Sequence, residues 1–133
     1  MSEGRPPLSF AAIARSSVSH VAFAFLAMGA WTLFANRAHG AAALVPALAQ
    51  GTLSGLITLV LKRVLEVFAT RHSGLVAYVL PPLATASVIL ALLVTVHSLI
   101  GTPEIAATIA VPWSVSTLYA IIYTAVLARD RRG

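Results

Sequence analysis

Cysteine is absent from the 133 residues. No disulfide, thiolate nucleophile or cysteine metal site is therefore available to this chain. Charge is scarce as well, with nine basic and four acidic side chains making up 10% of the sequence. Soluble domains carry charge on about a quarter of their residues. Lysine is nearly missing, because Arg outnumbers it eight to one. What remains is apolar: 59% hydrophobic residues and a mean hydropathy of +0.90. That excludes an intrinsically disordered chain, which combines low hydrophobicity with high charge.

The few charges divide the chain. No charged residue occurs between Arg15 and Arg37, Arg37 and Lys62, Arg71 and Glu104, or Glu104 and Arg129. These four windows hold 21, 24, 32 and 24 residues, 101 of the 133. A helix needs about 20 apolar residues to cross a hydrocarbon core of about 30 Å. Each window is long enough. Backbone polar groups in lipid must be satisfied within their own segment, so each window predicts a helix. The expected fold is all-α: one domain over residues 1–133, a four-transmembrane-helix bundle of up-down topology with helices at about 18–36, 41–61, 75–100 and 105–128. KRVLEVFAT (62–70) has no breaker and extends the second helix past the membrane. Pro81-Pro82 and Pro112 are the expected kink sites, since proline donates no backbone hydrogen bond. A soluble bundle would need polar outer faces, which these windows do not offer.

Orientation follows from the basic residues. The N-terminal arm has Arg5 and Arg15, the middle loop Lys62, Arg63 and Arg71, and the tail Arg129, Arg131 and Arg132. In a four-helix chain all eight lie on one side, against Arg37 alone on the other. Cytoplasmic loops carry the excess of Lys and Arg, so both termini are expected in the cytoplasm (N-in/C-in). Lys62, Arg63, Arg71, Arg129, Arg131 and Arg132 are expected contacts for anionic lipid head groups. The Arg and Ala bias suggests a GC-rich bacterial genome. The pI of 10.8 is a topology signal rather than a sign of nucleic-acid binding, because no basic face is interleaved with aromatics. Ala38-His39-Gly40 resembles a signal-peptidase site. The preceding apolar run exceeds a signal peptide's usual length, so the first helix is expected to stay.

The second helix has the most ordered pattern. Ala43, Ala47, Gly51 and Gly55 recur every four residues, and Gly51–Gly55 is a GxxxG. Small residues at this spacing let helix backbones approach closely. Gln50, Ser54 and Thr58 run beside them. The stripe Ala47, Gln50, Gly51, Ser54, Gly55 and Thr58 is a candidate packing surface, within the monomer first and between chains second. Lining of a substrate path by Gln50 is a third use.

On the outer side, Asn36, Arg37, His39, His97 and Glu104 form a candidate polar cluster. An Arg37–Glu104 salt bridge tying two hairpins is its simplest expected form, with a head-group or partner pocket as the functional alternative. Thr102 is the expected N-cap of the fourth helix. Two histidines and a carboxylate match a metal-ligand set. No HxxH or HxxxE spacing on one helix supports it, so no metal and no cofactor are expected. On the inner side, Glu66 is placed to pair with Lys62 four residues earlier. No Asp, Glu, Lys or Arg lies mid-helix, unlike proton-coupled pumps and exporters. No GxSxG, HExxH, carboxylate pair or phosphate loop is present, so no enzyme is expected.

At NRAHG (36–40), QGTLSG (50–55) and HSLIGTPEI (97–105) the chain resembles a set of small four-helix inner-membrane proteins of proteobacteria. That resemblance covers most of the chain and implies the same topology without an activity. In size and helix count it is also similar to the GtrA-like family, which moves lipid-linked sugars. That family's Phe-x-x-Val-Gly is absent here, and its Asn-Arg does not fall where Asn36-Arg37 stands. Two functions follow as expectations. The first is a small accessory or structural subunit packing against itself or a larger membrane complex. The alternative is translocation of a lipid or lipid-linked substrate.

Overall fold

A computed structural model describes residues 10–132, with the side chains of 10–16 and 132 left aside. Arg5 lies outside the described residues, as do the side chains of Arg15 and Arg132. The described chain is helical with no strand: α1 (Phe10–Ala35), a short 3-10 segment (Arg37–Ala43), α2 (Leu44–Arg71), α3 (Gly74–Leu99) and α4 (Ile105–Arg132). All four helices are long and apolar enough to cross a membrane.

The α1–α2 and α3–α4 connections lie together at what we call the upper end. The α2–α3 connection, the start of α1 and the end of α4 lie at the lower end. Helices α1 and α4 run further at the lower end than the windows of apolar residues predict, and α2 continues through 62–70 as the KRVLEVFAT stretch predicts. The reason is physical: charged residues such as Lys62, Arg63 and Arg129 end a membrane span without ending a helix, because they are good helix formers.

Glycine sets the breaks. Among the described residues, Gly40 (φ +59°), Gly74 (φ +65°) and Gly101 (φ +73°) have positive φ. Gly40 splits the 3-10 segment into two single turns. Gly101 closes α3 in a Schellman motif, with its own N–H donating to the Ser98 carbonyl at 3.3 Å and the Thr102 N–H to the His97 carbonyl at 2.9 Å. By contrast Pro81 and Pro82 sit inside a continuous α3, and Pro112 inside α4. Thr85 donates its hydroxyl to the Pro81 carbonyl at 2.9 Å, just past the pair.

Consecutive helices are antiparallel. Gly29 faces Ala47, Phe25 faces Gly51 and Val21 faces Gly55 along the α1–α2 pair. The two-glycine stripe is thus an intramolecular seat for α1. A Cβ on Gly51 would lie 2.9 Å from the Phe25 carbonyl oxygen, so only glycine fits there. Helices α2 and α4 pack against each other at the centre, with α3 beside both; α1 and α3 do not touch among the described residues. The core joins Leu61 and Leu65 of α2, Ile89 and Leu93 of α3, and Ile109 and Ala120 of α4. Only 6% of the apolar window of α1 is buried, against 39% for α2. The first helix is peripheral.

Candidate functional site

The upper end holds two buried polar networks, and the Schellman turn positions the first. The first belongs to α2 and α3. The turn places Thr102 directly over His97, whose Nδ1 accepts from the Thr102 hydroxyl at 2.6 Å. The opposite ring nitrogen donates to Gln50 Oε1 at 2.8 Å. Gln50 then donates its amide to Ser54 Oγ at 2.9 Å. His97 and Gln50 have no exposed surface, and Thr102 and Ser54 are buried. These roles form one consistent chain: Thr102 hydroxyl to neutral imidazole, imidazole to amide, amide to Ser54. A hydrophobic contact usually joins these two positions of a Schellman motif. Here the contact is polar.

The second network belongs to α1 and α4. Asn36 follows the last residue of α1 and is fully buried. Its Nδ2 donates to the Thr32 carbonyl at 2.9 Å and to Thr108 Oγ1 at 2.7 Å. Its Oδ1 accepts from the Glu104 N–H at 3.0 Å. Thr108 in turn donates its hydroxyl to the Glu104 carbonyl at 2.6 Å. The first N–H groups of a helix have no intrahelical partner. Asn36 therefore caps α4 from another helix. Trp31 adds a bond from its indole N–H to the Ala107 carbonyl at 2.9 Å.

The five residues expected at the outer face thus divide. Asn36 and Glu104 meet through the backbone, and His39 joins Glu104 at the surface, Nε2 to Oε1, at 3.1 Å. His97 turns inward to Gln50. Arg37 does not form the expected bridge with Glu104: its guanidinium donates to the Phe34 carbonyl at 2.9 Å and lies 4.1 Å over the Phe34 ring. Helical geometry explains this, since Phe34 lies three residues back on the same turn while Glu104 is already engaged by His39. Thr102 is not the cap of α4 but the partner of His97. Among the described residues no three His, Asp or Glu side chains are grouped to hold a metal.

The small-residue stripe of α2 also divides. Ala47, Gly51 and Gly55 seat α1, while Gln50 and Ser54 face α3. Thr58 is exposed and returns its hydroxyl to the Ser54 carbonyl at 2.8 Å.

At the lower end, Lys62, Arg63, Arg71, Arg129 and Arg131 are exposed. Arg131 donates to the His72 carbonyl at 3.2 Å and so ties the end of α4 to the α2–α3 turn. Glu66 is not paired with Lys62. One carboxylate oxygen accepts from the Tyr123 hydroxyl at 2.9 Å, and the other lies 3.8 Å from Arg63. The Glu66–Tyr123 contact escapes sequence reading because it depends on the register of α2 against α4. The same is true of Gln50–His97 and Asn36–Thr108.

Compared with protein-family models, curated proteins and solved structures, the chain matches none.

Proposed function

We propose that this chain is a small multi-pass protein of the bacterial inner membrane with both termini in the cytoplasm. It serves as an accessory or structural subunit that packs against itself or a larger membrane complex. The charge distribution supports the orientation, and it makes the upper end the outer one. The observation that carries the functional reading is Gln50. This amide is the most polar side chain deep in the second span, and it has no exposed surface and is held by both His97 and Ser54. Gln50 is engaged in holding α2 to α3 through His97 instead of lining a path. Helix α1 supports the same reading. Its Phe23, Leu26 and Phe34 are exposed, and its shallow burial leaves most of its circumference for lipid or a neighbouring protein.

Movement of a lipid or lipid-linked substrate is the competing reading. It requires the Gln50–His97 contact to open within the bundle, a cost the accessory reading does not carry. Native mass spectrometry of the protein, gently extracted from its own membrane, separates the two. A homo-oligomer or a stoichiometric complex with other membrane proteins is the expected result. A monomer throughout, active in moving labelled lipid between leaflets of a reconstituted vesicle, would reverse the assignment.

A further inference from the structure

One face of α2 changes character along its length. Gly51 and Gly55 touch Phe25 and Val21, but Thr58 and Lys62, on the same face one and two turns further on, are exposed. The next residue of that series is Glu66. It lies 22 residues past Leu44, about 33 Å along the axis at 1.5 Å per residue. A hydrocarbon core is about 30 Å thick, so this carboxylate stands at the lower boundary of the membrane.

Its environment is asymmetric. Oε1 is fixed by the Tyr123 hydroxyl at 2.9 Å. Oε2 has Arg63 at 3.8 Å, beyond hydrogen-bond distance, and the Arg63 side chain is 81% exposed. The carboxylate itself is one-third exposed. The Tyr119 ring stacks on Tyr123 with centroids 5.5 Å apart and planes within 17°, and Tyr119 remains 40% exposed. An acceptor oxygen with no hydrogen bond among the described residues, beside a partly exposed aromatic ring, is a cation site. Lys62 and Arg63, both exposed at the same level, would oppose a simple cation. They favour an anion next to it.

We propose that Glu66, Tyr119 and Tyr123, with Lys62 and Arg63, bind the head group of a zwitterionic phospholipid ending in a primary ammonium. The ammonium donates to Glu66 Oε2 and lies against Tyr119. The phosphate is met by Lys62 and Arg63. A quaternary ammonium has no N–H to give Oε2, so phosphoethanolamine is preferred to phosphocholine. An anionic lipid without an ammonium meets the Glu66 charge unfavourably. The acyl chains have an apolar path upward: Leu59, two turns above Glu66, and Val115, one turn above Tyr119, are 52% and 51% exposed. This makes a lipid the occupant, and the site is separate from the Gln50–His97 network.

The test is lipid retention by the intact protein. Reconstitute it in nanodiscs of equal parts phosphatidylethanolamine, phosphatidylcholine and phosphatidylglycerol with matched chains, and read the bound lipids by native mass spectrometry. The wild type should carry phosphatidylethanolamine about fivefold above its share relative to phosphatidylcholine, the ratio expected for one charge-assisted hydrogen bond in a wet interface. Glu66→Gln keeps an acceptor for Tyr123 and should fold, yet bring that ratio to about one. Tyr119→Leu should reduce it. Lys62→Ala with Arg63→Ala should lower retention of every phospholipid. Soluble glycerophosphoethanolamine in excess should leave the adduct in place; its displacement would overturn the assignment to lipid. An unchanged preference in Glu66→Gln, or a wild type that favours phosphatidylglycerol, would overturn the site.

Discussion

At the upper end of the bundle the buried polar side chains are tied into neutral networks, while the lower half has looser polar chemistry. Above, Thr102, His97, Gln50 and Ser54 pass hydrogen bonds in one direction, and Thr32, Asn36, Thr108 and Glu104 interlock at the head of α4. Below, Glu66 is half satisfied and partly wet. On α4 two buried hydroxyls, those of Thr117 and Thr124, have no partner among the described residues. An unpaired polar group in an apolar medium is costly, and a paired one is nearly neutral. The upper networks therefore supply register more than strength. They allow one mutual setting of four otherwise featureless apolar helices. At the lower end the ties between helices are fewer and more exposed, from Tyr123 to Glu66 and from Arg131 to the His72 carbonyl.

The largest effect should come from the seat that joins the two ends. Gly51→Ala puts a methyl 2.9 Å from a backbone oxygen of α1, which cannot move without taking the helix with it. Overpacking of this kind costs about 2–3 kcal/mol. Gly55→Ala meets the Val21 Cγ1 at 3.1 Å, a side chain free to adjust, and the Val21 carbonyl oxygen at an ordinary 3.7 Å, so the cost should stay below about 1 kcal/mol. Reversible unfolding in mixed micelles compares them. Equal losses would mean that α1 does not rest on Gly51 as described.

Next comes the network itself. His97→Leu leaves the Gln50 amide and the Thr102 hydroxyl without their partner, at about 1–3 kcal/mol by the cost of an unsatisfied buried group. Interhelical hydrogen bonds in membranes average about 0.6 kcal/mol, so the lower part of that range is expected. Gln50→Leu should cost a similar amount. The double variant should cost less than the sum by at least about 0.5 kcal/mol, because it removes both partners together. Strict additivity would show that the two residues act separately.

These contacts also show what was legible beforehand. Four helices long and apolar enough to cross a membrane were plain because charge is expensive in lipid, so its absence marks each one. The small-residue stripe signalled close packing. The partners were hidden. Sequence made Arg37 and Glu104 look like a pair because formal charges stand out, yet Arg37 turns to its own helix and Glu104 to His39 and Asn36. Neutral amides and hydroxyls did the joining, and their meeting depends on how far one helix slides past another. Nothing within a single helix records that distance. Thr102 was misassigned for a related reason: it lies at the head of one helix and the tail of another, and the glycine before it decided in favour of the tail.

The smallest effect should have the opposite sign. Thr124 is 3% exposed, and its hydroxyl has no hydrogen-bond partner among the described residues. Thr124→Val keeps the branched shape and deletes the unpaired oxygen. Replacing an unsatisfied polar group by an apolar one of the same shape is neutral or stabilising. A gain between zero and about 1 kcal/mol is expected in the same unfolding measurement. Thr102→Val, the same chemical change at the upper end, removes the donor to His97 Nδ1 and should destabilise. The pair of substitutions thus isolates connection from composition: one residue type and one lost oxygen, with opposite signs set by whether the hydroxyl has a partner. If Thr124→Val costs stability as Thr102→Val does, the lower half is as tightly hydrogen-bonded as the upper, and the contrast between the two ends fails.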